Sequence, residues 1–442
     1  MFKLKSKLLT LLAFLFGASL ALAQDSGPLI DMMVKKGLIN DQEAEDLRAD
    51  LVKDFATTSA GKINLGTTMT ELKLAGDIRV RYEGRSGEVA GDELSRDRYR
   101  YRFRFGMTGK MTHNFAWGVR LETGAGNRST NVTFADEATG PYGKASDGLF
   151  LGQAFVQWAP SPEFTLTLGR HANPLVTSYM VWDGDINVEG ATEAFKRRSG
   201  KIEYSATLSQ LIYNSASTQK LLGVPTRVED LYLFVYQGGL KYFTNEVGTS
   251  FFQINPTIYQ YVNESGNRNP LITRGTFSPT NLFGINNIFN LDIPVEYTWV
   301  TTGGTVMRLY GDFTINLDGD QRAKKYGRAD LEDENTAYLI GYQYGKAVNK
   351  GEWDASLTYS STGAFSLDQN LVDSDIFDSK VNMEGWAFKA NYALGAATQL
   401  SLTYAMADRK VADLIAPGTG DIGVSNKLDD YKLLQLDLNV KF

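Results

Sequence analysis

A row of arginines at alternate positions is the main chemical feature of this sequence. Four arginines alternate with four aromatic residues: Arg98, Tyr99, Arg100, Tyr101, Arg102, Phe103, Arg104 and Phe105. Guanidinium groups stay charged and bind carboxylates through a planar fork of donors. Side chains two residues apart on a β-strand share a face and lie about 6.6–6.8 Å apart. The row therefore predicts a cationic ladder on one face of a strand and an aromatic stripe on the other.

Covalent and metal chemistry have few candidates. The 442 residues contain no Cys and only two His, His113 and His171. Thiol chemistry, disulfides and Cys-based metal sites are therefore excluded. A Ser-His hydrolase would have to use His171, because His113 falls at a predicted turn. The formal charge of −6 argues against a nucleic-acid partner, since phosphate binding needs a basic face. We expect no cofactor.

The first 23 residues have the pattern of a secretory signal peptide. Lysines at 3, 5 and 7 precede an apolar stretch over 8–20, and Ala21-Leu22-Ala23 precedes Gln24. We predict that residues 1–23 are removed and that the mature chain leaves the cytoplasm. An uncleaved membrane anchor is the alternative.

Residues 24–57 have helical periodicity, and 58–69 form a predicted linker rich in Thr, Ser, Ala and Gly. Asn40 and Glu43 have the spacing of a capping box at the start of the second helix. The helical segment is predicted to be periplasmic. It either oligomerises or contacts peptidoglycan, or it is a solubilising lead-in, and the sequence leaves both open.

From residue 70 to the end, apolar and polar residues alternate with a period of two. Sixteen segments follow this pattern, at 70–84, 97–111, 113–124, 149–159, 163–171, 188–197, 200–214, 229–243, 246–262, 290–302, 304–317, 334–348, 351–361, 383–394, 397–408 and 430–442. Connections after even-numbered strands are short, whereas those after odd-numbered strands are long, starting with 85–96. This rhythm is typical of a transmembrane antiparallel β-barrel. We therefore predict an all-β fold over 70–442, with an aqueous lumen, because sixteen strands enclose more space than side chains fill.

Lipid supplies the reason for the alternation. No other layer in the sequence could cover the apolar faces, and an unpaired strand edge does not survive in a bilayer. Turning a strand by one residue would place Arg100 and Arg102 in hydrocarbon at roughly 2–4 kcal/mol each. The terminal Phe442, preceded by apolar residues at alternate positions, is similar to the signal that outer-membrane barrels present to their assembly machinery.

Four stretches resemble the putative porin family of bacterial outer membranes. They are GDIRVRYEGR (76–85), RYRYRFRFGMTG (98–109), WGVRLETGAGNRSTN (117–131) and LGRHANPLVTSYMVWDGDINVEGA (168–191). The resemblance implies a diffusion porin in the outer membrane of a Gram-negative cell, often a homotrimer. One departure is Gln153, where a basic residue is expected.

The mechanism predicted from these patterns is a charged constriction. The predicted pore-lining residues are Arg79, Arg81, Arg98, Arg100, Arg102, Arg104 and Arg120. The predicted constriction loop, residues 172–187, carries Trp182, Asp183 and Asp185, with Glu189 just after it. An acidic loop opposite an arginine wall would set up a transverse field that orients dipolar solutes and tunes ion preference. Alternatively, these acids are ordinary solvated loop residues and the arginines are screened wall lining.

We therefore predict passive diffusion of small hydrophilic solutes and ions. The alternatives are an envelope anchor whose N-terminal helices contact peptidoglycan, and an outer-membrane hydrolase. Two further acidic stretches, at 318–334 and 368–378, are interpreted as outer loops. They are either solvated or bridge divalent ions or lipopolysaccharide.

Overall fold

The computed structural model describes residues 27–36, 38–40, 42–47, 66–89, 91–124, 129–135, 148–215, 219–221, 224–226, 230–262, 287–416, 420–422 and 428–442. The chain divides into two compact units, Met1–Gly66 and Thr67–Phe442. The predicted signal peptide lies outside the described residues, as does most of the predicted linker.

The first unit contains the predicted helices. Helix α1 spans Gly27–Lys35, and residues 42–47 are also helical. The predicted capping box is confirmed, because the Asn40 amide donates to Glu43 Oε2 (2.9 Å) and the Glu43 amide donates to Asn40 Oδ1 (2.8 Å). No helix within the described ranges is long and apolar enough to cross a bilayer.

The second unit is a closed antiparallel barrel, and its described part contains sixteen wall strands. Their bounds are β1 Met69–Val89, β2 Asp92–Met111, β3 Phe115–Gly124, β4 Gly148–Trp158, β5 Phe164–Ala172, β6 Asn187–Ser199, β7 Ile202–Asn214, β8 Leu231–Phe243, β9 Phe251–Ile254 with Thr257–Val262, β10 Phe289–Asp292 with Val295–Val300, β11 Val306–Asn316, β12 Thr336–Gly345, β13 Trp353–Thr362, β14 Met383–Gly395, β15 Thr398–Arg409 and β16 Leu428–Lys441.

Smaller elements lie between the wall strands. Helix α2 spans Gly319–Lys325, and single 3-10 turns lie at Thr112–Asn114, Ala329–Leu331 and Ile376–Ser379. Val132–Thr133 pairs with β2, and Gln219–Leu221 forms a hairpin with Val224–Thr226.

The barrel closes through its first and last strands. Each strand pairs with the next along the chain, and β16 pairs with β1 in a register that sets Ile78 opposite Val440. The predicted sixteen-stranded closed barrel is therefore confirmed. The even-numbered strands end at short turns and most odd-numbered ones at long loops, which defines a short-turn end and a long-loop end.

The first long-loop connection differs from the prediction. The predicted loop 85–96 is wrong, because β1 and β2 continue to pair up to Val89 and Asp92. These strands hold 21 and 20 residues, more than the roughly 9–11 that cross a bilayer. Toward the hairpin tip, over 84–89 and 92–97, the outward positions carry Gly, Ser, Glu and Asp instead of apolar residues. The alternation that marks a membrane strand is therefore missing there, although the pairing continues.

Along the strands, apolar side chains are exposed and polar side chains are buried, which is the reverse of the pattern in a soluble protein. On β16, Leu436 is 50% exposed whereas the neighbouring Gln435 is 2% exposed. On β2, Tyr99 is exposed and Arg100 is buried. Apolar side chains therefore cover the outside of the barrel, and polar side chains of the opposite parity face the lumen, as a membrane barrel requires.

Candidate functional site in the barrel interior

The first two strands place arginines directly opposite one another. Arg79 faces Arg102, and Arg81 faces Arg100, across the β1–β2 pair. Seven inward arginines form what we call the arginine row: Arg79, Arg81, Arg85, Arg98, Arg100, Arg102 and Arg104. Like charges that face each other across a strand pair are destabilising. The row therefore needs carboxylates close by.

At the end of the row nearer the short turns, two aspartates supply this charge. Asp77 accepts from Arg102 Nη2 at 2.8 Å and from Arg104 Nε at 2.7 Å. Asp185 lies 3.7 Å from Arg102 and 3.6 Å from Arg104. Asp185 belongs to residues 173–186, which we call the crossing segment. The predicted acidic loop therefore contacts the arginines directly.

Nearer the long loops, the row is held by residues 363–382, which we call the buried segment. Arg81 Nη1 donates to Asp375 at 2.8 Å, and Arg81 Nε donates to Asp437 on β16 at 2.7 Å. Arg85 donates to Asp378 at 2.8 Å and to Asp375 at 3.0 Å. This segment is therefore fastened to the first strand by several charge-assisted hydrogen bonds.

Glu83 and Asp421 complete the pairing of the row. Glu83 on β1 is fully buried. It accepts a hydrogen bond from Arg98 Nε at 2.6 Å and another from Arg85 Nε at 3.0 Å. Asp421 pairs with Arg98 as well. Among the described residues, seven carboxylates form ion pairs with the row: Asp77, Glu83, Asp185, Asp375, Asp378, Asp421 and Asp437. The seven carboxylates therefore balance the seven arginines overall, but positive and negative charge are distributed unevenly along the row.

Arg79 and Arg100, in the middle of the row, have the weakest carboxylate contacts. Arg79 lies 3.9 Å from Asp437, and Arg100 lies 3.7 Å from Glu83. Both contact Asn131, whose side-chain oxygen accepts from Arg79 and whose carbonyl accepts from Arg100 at 3.3 Å. Positive charge is therefore least compensated at this level of the barrel.

The arginine row points inward, but loops cover it. Arg79 and Arg81 are 9% and 3% exposed, and Arg98, Arg100 and Arg102 are also buried. Arg120 is partly buried and pairs with Glu122 at 2.7 Å. The sequence predicts an arginine wall that is open to the lumen. Over most of its length the row instead anchors the segments of the chain that fold inward. The alternation of residues specified the inward face but carried no information on which loops fold onto it.

The crossing segment reaches the opposite wall of the barrel. Trp182 is buried and stacks on Tyr259 of β9 with ring centroids 6.3 Å apart. The Val176 amide donates to Gln237 Oε1 on β8 at 3.0 Å. Tyr179 Oη lies 3.3 Å from Ser360 Oγ on β13. Because its other end contacts Arg102 and Arg104, the segment spans the lumen.

The four residues predicted for the constriction are in four different environments. Trp182 lies in an apolar cluster and Asp185 contacts the arginine row. Asp183 turns toward the buried segment, where it accepts from the Ser374 amide at 3.1 Å. Glu189 corrects the prediction: it lies in β6 and pairs with Arg170 on the face that carries the exposed Leu168. Its parity on the strand directs it away from the lumen.

The buried segment is the main feature that the sequence interpretation missed. The sequence predicts its acids to be outer-loop residues, yet Asp368 is 4% exposed and accepts from Tyr213 Oη and Tyr261 Oη at 2.6 and 2.7 Å. Together with the crossing segment, it packs an apolar cluster against the wall of β7–β9 and β12. The sequence does contain a sign of this burial. On the lumen-facing side of residues 76–104 the arginines outnumber the acids, so carboxylates from elsewhere in the chain are needed to pair with them.

Carboxyl groups meet where the two inward segments touch. Burial, together with the charges of Asp183 and Asp375, raises the pKa of Asp373 to about 7. Burial and the charge of Asp185 also raise the pKa of Asp183. Burial acts in the same direction on Asp375, but Arg81 and Arg85 outweigh it and hold its pKa well below the usual range. The contact is therefore sensitive to pH near neutrality.

A polar cavity of about 370 Å³ lies beside the crossing segment, toward the short-turn end of β9–β14. Its wall includes Gln253, Glu296, Gln343, Ser356, Lys389 and Asn391. Lys389 also lies 5.5 Å from the ring of Tyr179 in the crossing segment. This cavity is water-accessible space inside the barrel, on the side opposite the arginine row.

Two other positions singled out in the sequence have defined surroundings. His171 is buried, with Nε2 3.4 Å from Thr192 Oγ1 and Nδ1 2.9 Å from the Ala172 carbonyl. Gln153 donates to Asn187 Oδ1 at 2.8 Å. Within the described part of the chain, no group of three or more His, Asp or Glu has the arrangement of a metal site.

Part of the chain matches a known family. Residues 88–283 match the family model described as "Putative porin". This confirms the resemblance stated from the sequence. No curated protein matches the chain.

Solved structures to which the chain is similar include three porins. The anion-selective porin from Comamonas acidovorans is 12% identical, with a TM-score of 0.48 over 84% of this chain and 99% of that one. Salmonella typhi OmpF, in complex with daunomycin, is 8% identical, with a TM-score of 0.46 over 86% and 100%. Pseudomonas putida OprB is 10% identical, with a TM-score of 0.48 over 84% and 94%.

Proposed function

We propose that this chain is an outer-membrane channel for passive diffusion of small hydrophilic solutes and ions. The observation that carries the proposal is a closed sixteen-stranded barrel with an apolar outside and a polar cavity inside. The match of residues 88–283 to putative porins agrees with it. In this proposal the barrel acts as a conduit and catalyses no reaction.

The narrowest part of the proposed path lies where the crossing segment spans the lumen. On one side, Asp185 and the arginine row fill the space with paired charges. On the other, the cavity along β9–β14 offers hydrogen-bonding groups and Lys389. We propose that solutes pass on the cavity side and that the polarised arginine row contributes a transverse field from behind the crossing segment.

The cellular setting is part of the same proposal. The apolar outer face would contact the lipid bilayer, with the N-terminal helices in the periplasm. The barrel-assembly machinery would recognise Phe442. The family resemblance favours a homotrimer. These assignments would place the short-turn end of the barrel at the periplasmic side.

Charge reversal in the cavity tests the proposed path. In planar bilayers, Lys389→Glu should lower the anion-to-cation permeability ratio, because the cavity wall gains two negative charge units. Lys432→Glu is the matched control. Lys432 is 57% exposed and has the parity of the outward Leu434, so its reversal should leave the ratio near the wild-type value. Equal shifts in both variants, or no shift in Lys389→Glu, would contradict a path through the cavity.

A further inference from the structure

A second group of acids lies away from the arginine row, on the inner wall of β10 and β11. Asp292 is 0% exposed and Asp312 is 3% exposed, and the two carboxyl groups interact directly. Asp292 Oδ1 accepts from Thr314 Oγ1 at 2.7 Å. Ser178 of the crossing segment lies beside Asp312. The group therefore lies between the barrel wall and the segment that spans the lumen.

Several buried oxygen atoms of β9–β11 and the crossing segment make no hydrogen bond of ordinary geometry within the described part of the chain, although Asp312 interacts with Asp292 and Ser178, and Tyr259 interacts with Thr177. They are Asp292 Oδ2, both carboxylate oxygens of Asp312, Asn290 Oδ1, Ser178 Oγ, Thr177 Oγ1 and Tyr259 Oη. Asn290 and Tyr259 are 4% and 3% exposed and face each other in the β9–β10 register. The Tyr259 hydroxyl interacts electrostatically with both Asp292 and Asp312. Buried polar atoms normally have partners, so such a concentration of unpartnered oxygens calls for one.

The charge of the pair is uncompensated as well. No Lys or Arg of the described residues forms an ion pair with Asp292 or Asp312, whereas every arginine of the row has a carboxylate within 4 Å. Two buried carboxylates side by side are costly when ionised without a counter-charge. A cation bound between them would supply the counter-charge and a partner for the free oxygens.

We propose that Asp292 and Asp312 bind a divalent cation of the Ca²⁺ class. Ca²⁺ takes six to eight oxygen ligands, including carboxylates, amide carbonyls and water. Asp292 and Asp312 would supply carboxylates, and Ser178, which contacts Asp312, would supply a hydroxyl. Asn290 lies two residues before Asp292 on the same face of β10 and would supply an amide oxygen. The absence of nitrogen and sulfur donors in this group favours a hard cation over a transition metal.

The site would link the crossing segment to the far wall of the barrel. Ser178 belongs to that segment, whereas the two aspartates and Asn290 belong to β10 and β11. Cation binding would therefore fix the segment on the side of the cavity, as Asp185 does on the side of the arginine row. It would also stabilise the folded barrel, by an amount that grows with the logarithm of the ion concentration above its Kd. This inference does not depend on transport.

Terbium luminescence and thermal unfolding test the site in the full-length mature protein in detergent. Tb³⁺ substitutes for Ca²⁺ and emits when nearby aromatic rings absorb light. Tyr259 interacts with both aspartates, and Trp182 stacks on Tyr259 with ring centroids 6.3 Å apart. We expect sensitised Tb³⁺ emission that Ca²⁺ reverses, and a higher Tm in Ca²⁺ than in EDTA.

Two carboxylate pairs provide the comparison. Asp292→Asn/Asp312→Asn should weaken Ca²⁺ competition at least tenfold and abolish the Tm difference. Asp320→Asn/Asp330→Asn removes two exposed acids of the 318–334 loop and should leave both readouts unchanged. Identical Tb³⁺ responses in wild type and Asp292→Asn/Asp312→Asn, or no response in wild type, would overturn the proposal.

A third variant keeps the test decisive if the double substitution does not fold. Trp182→Phe leaves all the proposed ligands in place but removes the tryptophan that stacks on Tyr259, a strong sensitiser. It should reduce the Tb³⁺ emission intensity while the Ca²⁺ concentration needed for half-reversal stays the same. Unchanged intensity would place the bound ion elsewhere and overturn the assignment.

Discussion

Phe442 and Gly76 exchange two backbone hydrogen bonds, of 2.8 and 3.0 Å, where the last strand meets the first. The ring of Phe442 also lies over Gly76, and a Cβ built there would be 2.6 Å from the ring and 2.5 Å from the Arg104 carbonyl oxygen. The chain terminus thus closes the barrel against a glycine that leaves room for its ring. The position of Phe442 is structural in addition to its proposed role in assembly.

Gly76→Ala should destabilise the closure by about 1–3 kcal/mol, because the added methyl overpacks the seam. Gly238→Ala is the matched control, since Gly238 has the same outward parity in β8 and a Cβ there would meet nothing within 4 Å. Denaturant unfolding of the refolded barrel measures both. A Gly76→Ala midpoint equal to that of Gly238→Ala would show that the seam tolerates a side chain.

Arg85→Gln should release the buried segment. The substitution leaves Glu83, Asp375 and Asp378 close together with less compensation, and breaking a buried ion pair from one side costs about 3–5 kcal/mol. Lys380 is 3% exposed, so trypsin cleavage after it reports release of the segment. Cleavage should accelerate in Arg85→Gln and stay slow in Arg328→Gln, which removes an ion pair on the exposed loop.

Asp185→Asn and Glu189→Gln separate two acids that the sequence grouped together. Asp185→Asn removes negative charge next to Arg102 and Arg104, so the anion-to-cation permeability ratio should rise. Glu189→Gln should leave the ratio near wild type, because Glu189 pairs with Arg170 on the outward face. Reversal potentials across a salt gradient measure the ratio. A shift in Glu189→Gln alone would contradict the arrangement described.

The contact between the inward segments should weaken as pH rises. The pKa of Asp373 is raised to about 7 in the folded protein from an ordinary value of 3.8. Folding therefore favours the protonated form of Asp373. The stability that this protonation contributes is lost as the pH rises from about 4 to about 7. The fall in Tm from pH 5 to pH 8 should be smaller in Asp373→Asn than in wild type. Equal falls would exclude this carboxyl as the cause.

The barrel was largely predictable because lipid imposes a simple rule. Wherever one strand face meets hydrocarbon, residues alternate, and the sixteen predicted strands and their closure follow from that alternation. Prediction was wrong where the rule stops, as in the outer part of the β1–β2 hairpin. Polar pairing continues there without a lipid-facing stripe.

The filling of the lumen was less accessible to sequence analysis. Asp375 and Asp378 meet Arg85 from 290 and 293 positions away in the chain. An acidic loop has the same composition whether it is solvated or buried against arginines, so composition alone does not distinguish the two. Glu189 shows a related difficulty, since a shift of one residue at the start of a strand decides whether a side chain faces the lumen or the outside.

Cysteine labelling during conductance measurement tests the central claim most directly, because the native chain contains no Cys. Ser356 lines the cavity, whereas the adjacent Leu357 is 48% exposed on the outer face. A charged, water-soluble thiol reagent should reduce single-channel conductance in Ser356→Cys and leave Leu357→Cys unchanged. Full labelling of Ser356→Cys with unchanged conductance would contradict a solute path through the cavity beside the crossing segment.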